Sequence, residues 1–470
     1  MLEILYAVIT PVNSWLYYPI LIILLLGVGL YFTLRTGFLQ GRLLKEAVKA
    51  AMEKPDTENS VSAFQALMVS TASRVGTGNI VGVSSAICLG GYGSVFWMWV
   101  VAVIGGSSAF IEATLAQIYK RKDTCGGSYG GPAYYIETAL KSRTLGIIFA
   151  VSLILTYAIG FNMLAAFNLQ TSFQVYAFYN PDTTPWLIGA VLAVLTAYCI
   201  LGGGKRILKT TAVLVPLMGI VYIFTAAVMI IVNFSSMPAL FSRILHDAFN
   251  FKAIFGAVAG SSMMYGIKRG LYSNEAGIGS APNAAAAANV SHPAKQGLVQ
   301  MLSVFIDTLL ICSATAFMCL SSGIEPAAEL TGAPYVQAAL ASFMGSFGNH
   351  FVTVSLILFA FTTLIGNLFY VDNNLTYING KVPGKYFMFG YRLIAILVIF
   401  LGSAQKQALA WDIADLLMGI MAIINLPAIL ILGQTAIKAL KDYEKQRKAG
   451  KNPVFRAADI GITESLDFWN

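Results

Sequence analysis

Long apolar stretches alternate with short polar ones along the whole chain. Stretches of spanning length run over 16–34, 60–90, 94–118, 145–175, 186–201, 208–233, 252–291, 296–321, 349–379, 386–402 and 409–437. Since roughly 20 apolar residues cross the hydrocarbon core, they predict about eleven transmembrane helices. Several exceed that length, which permits tilt or a break. The second stretch carries its own interruption: Arg74, Gly76, Thr77, Gly78 and Asn79 stand between apolar flanks. Irregular backbone at membrane depth is tolerated only where it lines a cavity or binds something. A helix broken there presents N–H groups on one half and C=O groups on the other. The first suits a carboxylate and the second a cation. The stretch is therefore a candidate transporter binding site, in preference to a polar segment of a soluble loop.

The pattern repeats. Residues 68–86 align without gaps on 263–281, sharing Met68/Met263, Arg74/Arg269, Asn79/Asn274, Gly82/Gly277, Ser85/Ser280 and Ala86/Ala281. Chance pairing would give roughly one or two such identities. Further on, Ala133–Leu140 resembles Ala333–Leu340, and Ser152–Leu155 matches Ser355–Leu358. Five apolar stretches separate the two starts, an odd number, so the halves have opposite topology. The expected fold class is an all-α integral membrane protein: a five-plus-five inverted repeat, one extra N-terminal helix, and a broken first helix in each repeat. Residues 1–58 form the extra helix and an amphipathic cytoplasmic segment, 59–234 the first repeat, 235–440 the second, and 441–470 a cytoplasmic tail. The short segments 126–140 and 333–345, each containing a Gly-Gly-Pro or following a Gly-Ala-Pro start, read as amphipathic helices capping the bundle.

Composition agrees with this. The 470 residues are 57% hydrophobic and 11% charged, with mean hydropathy +0.71, whereas a soluble domain carries roughly 25% charged residues. The net charge of +8 does not point to nucleic acid, because its cations lie in short loops and the tail, where they orient a membrane protein. They follow the first, third, fifth and ninth stretches and recur after the last. This places the N-terminus outside and the C-terminus in the cytoplasm; Arg243 and Lys252 then fall outside, against the trend. Acidic Glu3 and the absence of a small-residue cleavage site argue against a removable signal peptide. The five cysteines (Cys88, Cys125, Cys199, Cys312, Cys319) lack metal spacing and read as small core residues. Lys268, Arg269 and Glu275 near the second break need partners or a water-filled cavity. Asp307 and Glu112, in apolar stretches, are expected to pair with Arg74 or Arg269, as a structural ion pair or in a coupling role.

Gly76-Thr-Gly-Asn-Ile80, Gly131-Pro-Ala-Tyr-Tyr-Ile136, the block from Arg269 through Ser273-Asn-Glu-Ala-Gly277 to Ala286, and His292-Pro-Ala-Lys-Gln-Gly-Leu-Val-Gln300 together resemble the alanine or glycine:cation symporter family. The resemblance runs from the first broken helix through the tenth stretch. It implies the fold of the bacterial leucine transporter. It also implies a substrate site at Gly76, Thr77, Gly78 and Asn79, with Asn274 as the counterpart in the second repeat, and substrate contacts from Phe167 and Gln170. The latter two, three apart on one helix face, are also readable as packing and a helix–helix amide bond. Thr362 and Thr363 resemble the hydroxyl pair that binds sodium in this fold, together with the carbonyls of Ala72 and Val75. Oxygen ligands suit a hard cation, although threonine also bonds its own i−4 carbonyl in membrane helices. Asn367 stands where many relatives carry Trp, so it changes the pocket wall.

The function expected is symport of sodium with a small neutral amino acid, alanine or glycine, by alternating access in the cytoplasmic membrane of a prokaryote. The partners are the amino acid, sodium and the bilayer, with no cofactor besides the coupling ion. The rivals are sodium- or proton-coupled glutamine transport, a channel, and an intramembrane enzyme. The last lacks any nucleophile–base or metal set; the three histidines (His246, His292, His350) have no metal spacing, and no phosphate loop is present.

Overall fold

The structure, a computed structural model, describes residues 2–53, 60–122, 127–201, 204–250 and 261–469. The start of the seventh apolar stretch (252–260), Lys252, Cys125 and the expected boundary at 58/59 lie outside the described residues. Helix α1 (Leu2–Trp15) passes through a π-helical segment (Leu16–Leu21) into α2 (Ile22–Arg35), and two short helices follow, α3 (Leu39–Arg42) and α4 (Leu44–Ala51). Next come α5 (Ala63–Arg74), a π-helical segment (Gly78–Gly82), α6 (Val83–Gly90) and α7 (Ser94–Ile118). A hairpin of β1 (Arg121–Lys122) and β2 (Ser128–Tyr129) leads to α8 (Pro132–Leu140). Helix α9 (Arg143–Ile154) continues through Leu155–Gly160 into α10 (Phe161–Thr171), followed by α11 (Thr184–Ile200), α12 (Gly204–Val232) and α13 (Met237–Ala248). The second half holds α14 (Ser262–Asn274), α15 (Pro282–Ala285), and α16 (Pro293–Val304), which continues through Phe305–Cys312 into α17 (Ser313–Leu320). It closes with α18 (Ala333–Met344), α19 (Ser346–Asn379), α20 (Lys385–Gly402) and α21 (Gln407–Lys448).

Eight helical stretches among the described residues are long and apolar enough to cross a membrane, and Gly78–Gly90 and Thr184–Ile200 are shorter apolar helices. Two expected boundaries are corrected. The first stretch was expected from residue 16, but the spanning helix begins at Ile9. The last was expected to end at 437, but α21 continues to Lys448. Its added turns are held by ion pairs of Arg42 with Glu444 (2.7 Å) and Arg447 with Glu46 (2.7 Å).

Local sequence sets where the site elements begin and end. A capping box starts α5: Ser62 accepts from the Gln65 N–H and Gln65 accepts from the Ser62 N–H, both at 3.0 Å. Just before it, the Val61 carbonyl takes the Asn289 N–H (2.9 Å), tying the first broken helix to the segment beyond the second. In the second break Glu275, Gly277 and Gly279 have φ of 53°, 85° and 89°, left-handed values that glycine adopts at little cost. The first break works differently. Gly76 and Gly78 keep negative φ, and glycine serves close approach there. A Cβ at Gly78 would sit 2.7 Å from the Tyr272 ring, and one at Gly76 would collide with Thr363 Oγ1. Without a hydrophobic drive between helices in lipid, such small-residue contacts let helices pack. Gly366 likewise seats α19 on the backbone of Ser73.

Candidate functional site

The two broken helices meet in the middle of the bundle. Asn79, fully buried, spans the first break: its Oδ1 accepts the Gly76 N–H (2.8 Å) and its Nδ2 donates to Asp307 Oδ1 (2.7 Å) and to the Asp307 carbonyl (3.3 Å). Both ends of the amide are thus engaged within the protein, and Asn79 braces the break. The same Asp307 carboxylate accepts the hydroxyls of Ser273 (2.8 Å) and Thr308 (2.8 Å). Asn274 ends α14, and its Oδ1 accepts the Ala276 N–H (3.0 Å) as the chain turns into the second break. Thr77, 1% exposed, receives a hydrogen bond from Asn168 Nδ2 at 3.1 Å.

The four residues of the expected cation cage are not equally placed. Thr363 Oγ1 donates to the Ala72 carbonyl (3.3 Å) and lies against Gly76, so α19 reaches the carbonyl end of α5. Val75 is the residue at which α5 leaves helical geometry, with ψ of 83°. Thr362 faces the other way. Its hydroxyl bonds the Leu358 carbonyl (3.0 Å) and approaches Met218 Sδ of α12 (3.6 Å). Adjacent residues on a helix project roughly 100° apart, and here Thr363 alone of the two points onto the break. Asn367, one turn further along α19, accepts from Ser73 Oγ (2.8 Å) and donates to Asn162 Oδ1 (3.0 Å). Gln170 accepts from the Tyr179 hydroxyl (3.0 Å), and Phe167 is buried on the same helix, α10.

The expected ion pairs are corrected. Arg269 pairs with neither Asp307 nor Glu112. It forms a two-point pair with Asp415 of α21 (3.1 and 3.1 Å) and stacks over Trp411. Lys268 shares that carboxylate at 2.8 Å. Arg74 hydrogen-bonds to the Gln300 carbonyl (3.3 Å) and side chain (3.4 Å); among the described residues no carboxylate lies within ion-pair distance of it. Glu112 accepts the Gly277 N–H (3.3 Å) and Asn425 Nδ2 (2.9 Å). Glu275 accepts from Ser280 (2.6 Å) and Ser73 (3.2 Å). Sequence reasoning missed Asp415 and Asn168. Asp415 had a signal, a carboxylate inside an apolar helix; Asn168 had a weaker one, an amide between Phe167 and Leu169 in an apolar run.

The two ends of the bundle differ. At one, a cleft of about 580 Å³ opens between the starts of α5, α12 and α20 and the end of α19, with Asp372, Asn373 and Arg392 among its walls. This is the end where Lys381 and Lys385 lie. At the other, Ser84 Oγ bonds the Gly332 carbonyl (2.7 Å) and accepts its N–H (3.1 Å), so the loop before α18 is sealed onto α6. There Arg243 pairs with Glu325 (3.1 and 3.0 Å), which gives that cation a partner.

Broken helices apposed in the middle of the bundle, with polar side chains turned onto the breaks and a cleft at one end, fit a secondary carrier. The chain belongs to the sodium:alanine symporter family, whose sequence profile matches residues 2–457. It is 44% identical to a probable sodium/glutamine symporter of Bacillus subtilis, over 100% of this chain and 97% of the relative. It is 39% identical to the sodium/alanine symporter of Methanococcus maripaludis, over 94% and 98%. Its fold resembles that of MhsT, solved with L-phenylalanine (TM-score 0.57, 14% identity, 87% of this chain and 94% of that one). The protein is a transporter and not an enzyme.

Proposed function

We propose that the protein couples sodium entry to uptake of a small neutral amino acid, alanine or glycine, by alternating access. The observation that carries this reading is the contact of Thr363 with the Ala72 carbonyl and Gly76. It sets a hydroxyl from α19 beside the carbonyl end of a broken helix, where oxygen ligands suit sodium. The carboxylate of the substrate then binds at Thr77 and Gly78, whose N–H groups head the second half of the helix, beside Gly76, whose own N–H is held by Asn79. Asn79 holds that backbone in shape. Asn274 and Asn367 form the surroundings, Phe167 and Gln170 flank them from neighbouring faces of α10, and Val75 contributes its carbonyl to the cation. Close packing of Tyr272 on Gly78 and Thr363 on Gly76 favours a small side chain. No cofactor besides sodium enters this scheme.

The arrangement follows a five-plus-five inverted repeat with an extra first helix, eleven spans in all, the N-terminus outside and the C-terminus in the cytoplasm. A cysteine at exposed Thr183 should react with an impermeant reagent from outside, and one at exposed Lys381 should not; the reverse overturns the orientation. A second reading, glutamine as substrate, is supported by the name of the 44% identical relative. Competition of alanine, glycine and glutamine for labelled alanine at saturating sodium tests the choice. Alanine or glycine competing at lower concentration than glutamine supports the first reading, and the opposite order supports the second.

A further inference from the structure

Asn168 is fully buried on α10, yet only one end of its amide is engaged. Nδ2 donates to Thr77 Oγ1 at 3.1 Å, at the residue between the two glycines of the first break. Oδ1 has no hydrogen-bond partner among the described residues. A buried acceptor left unpaired is costly, and native structures hold few of them. The helix face shows what surrounds the residue. Asn168 stands seven residues, about two turns, beyond Phe161, so both lie on one face. The Phe161 ring packs edge-on against Tyr272, with centroids 5.0 Å apart, and Tyr272 lies against Gly78. The Phe161–Asn168 face of α10 therefore covers both breaks. Phe167 and Gln170 lie off this face, and the Gln170 carbonyl oxygen is already taken by Tyr179.

We infer that Asn168 is a substrate-positioning residue: its Nδ2 holds Thr77, and its Oδ1 accepts a hydrogen from the α-ammonium of the bound amino acid. The inference rests on the proposed function and adds the residue that reads the amino group. An ammonium is the one strong donor that every small neutral amino acid carries, and a neutral amide accepts from it without adding a charge to the membrane interior. With the carboxylate at the Thr77–Gly78 backbone, the two contacts fix the α-carbon between the first break and α10.

The test is a double-mutant cycle on equilibrium binding of labelled alanine at saturating sodium. Asn168→Ala and Asn168→Leu are each made in the wild-type and in the Thr77→Val background, with melting temperature and elution profile recorded. Thr77→Val removes the partner of Nδ2. If Oδ1 contacts the ligand, either folded Asn168 variant weakens binding about tenfold or more in both backgrounds. If Asn168 only holds Thr77, its replacement costs nothing further once Thr77 is Val, and the inference is overturned. Wild-type protein that binds no alanine, glycine or glutamine overturns the functional reading itself and this role with it. Wild-type binding with unchanged affinity in the variants overturns the role of Asn168 alone.

Discussion

Arg269 and Asp415 face each other through two parallel hydrogen bonds of 3.1 Å each, joining the second broken helix to α21 across 146 residues of sequence. Lys268 adds a third contact to the same carboxylate, and the Tyr17 hydroxyl bonds the Asp415 carbonyl (3.0 Å). The carboxylate is fully buried. Removing one partner of such a pair strands the other charges, at a cost of about 3–5 kcal/mol. Asp415→Ala should therefore lower the melting temperature of the solubilised protein sharply, or abolish folding. Asp415→Asn, which keeps hydrogen-bond acceptance, should cost less. A wild-type melting curve for Asp415→Ala contradicts the assignment.

Asn79 connects Gly76 to Asp307, so its loss disturbs two groups. Asn79→Ala leaves the Gly76 N–H and the Asp307 carboxylate each short of a partner, at about 2–3 kcal/mol. Thermal stability should fall accordingly, and alanine affinity should fall with it as the break loses its shape. Lost affinity at unchanged stability would assign Asn79 to the ligand instead.

The two threonines of α19 should separate. Thr363→Ala should remove sodium stimulation of alanine binding, whereas Thr362→Ala, whose hydroxyl serves its own helix, should keep it. Ion and substrate affinities are coupled reciprocally, so a sodium titration of alanine affinity reads the effect directly. Sodium stimulation kept in Thr363→Ala would place the cation elsewhere, and equal loss in both variants would make Thr362 a ligand as well.

These outcomes mark how far the chain can be read without its structure. The breaks were legible because polar and glycine residues interrupt apolar runs, and the segments aligned at 68–86 and 263–281 are both helices that break. The short helices α8 and α18 were legible from their opening prolines. Which way a side chain faces was not. Thr362 and Thr363 look equivalent in sequence and differ by one helical step, and Arg269 had several possible carboxylates in an apolar chain. Choosing among them takes the packing of α21 on α14, which no local pattern encodes. The glycines at 76 and 78 were expected to free the backbone; their work is to admit Thr363 and Tyr272.

His292 caps α16 as a neutral ring. Its Nδ1 accepts the Ala294 N–H (3.1 Å), which leaves the proton on Nε2, facing Asp442 Oδ2 at 3.2 Å. Burial pushes the imidazole down to about 4, against the opposing pull of Asp442. The unfolded chain, with an ordinary value near 6.5, binds more protons between these limits. Stability is therefore fully present above about pH 6.5 and is lost as pH falls toward 4, by about 3 kcal/mol. Melting temperatures across that range should show the loss. His292→Asn, which keeps a capping acceptor and does not titrate, should flatten it; an unchanged pH profile in the variant would contradict the role.

Uptake into proteoliposomes tests the central claim most directly. Labelled alanine, glycine and glutamine are each offered to purified protein with an inward sodium gradient, with an inward proton gradient, and with neither. The account predicts that alanine or glycine accumulates above its external concentration only when the sodium gradient is present, and that collapsing this gradient releases it. Accumulation driven by protons and indifferent to sodium, or equilibration with no gradient dependence at all, would contradict it.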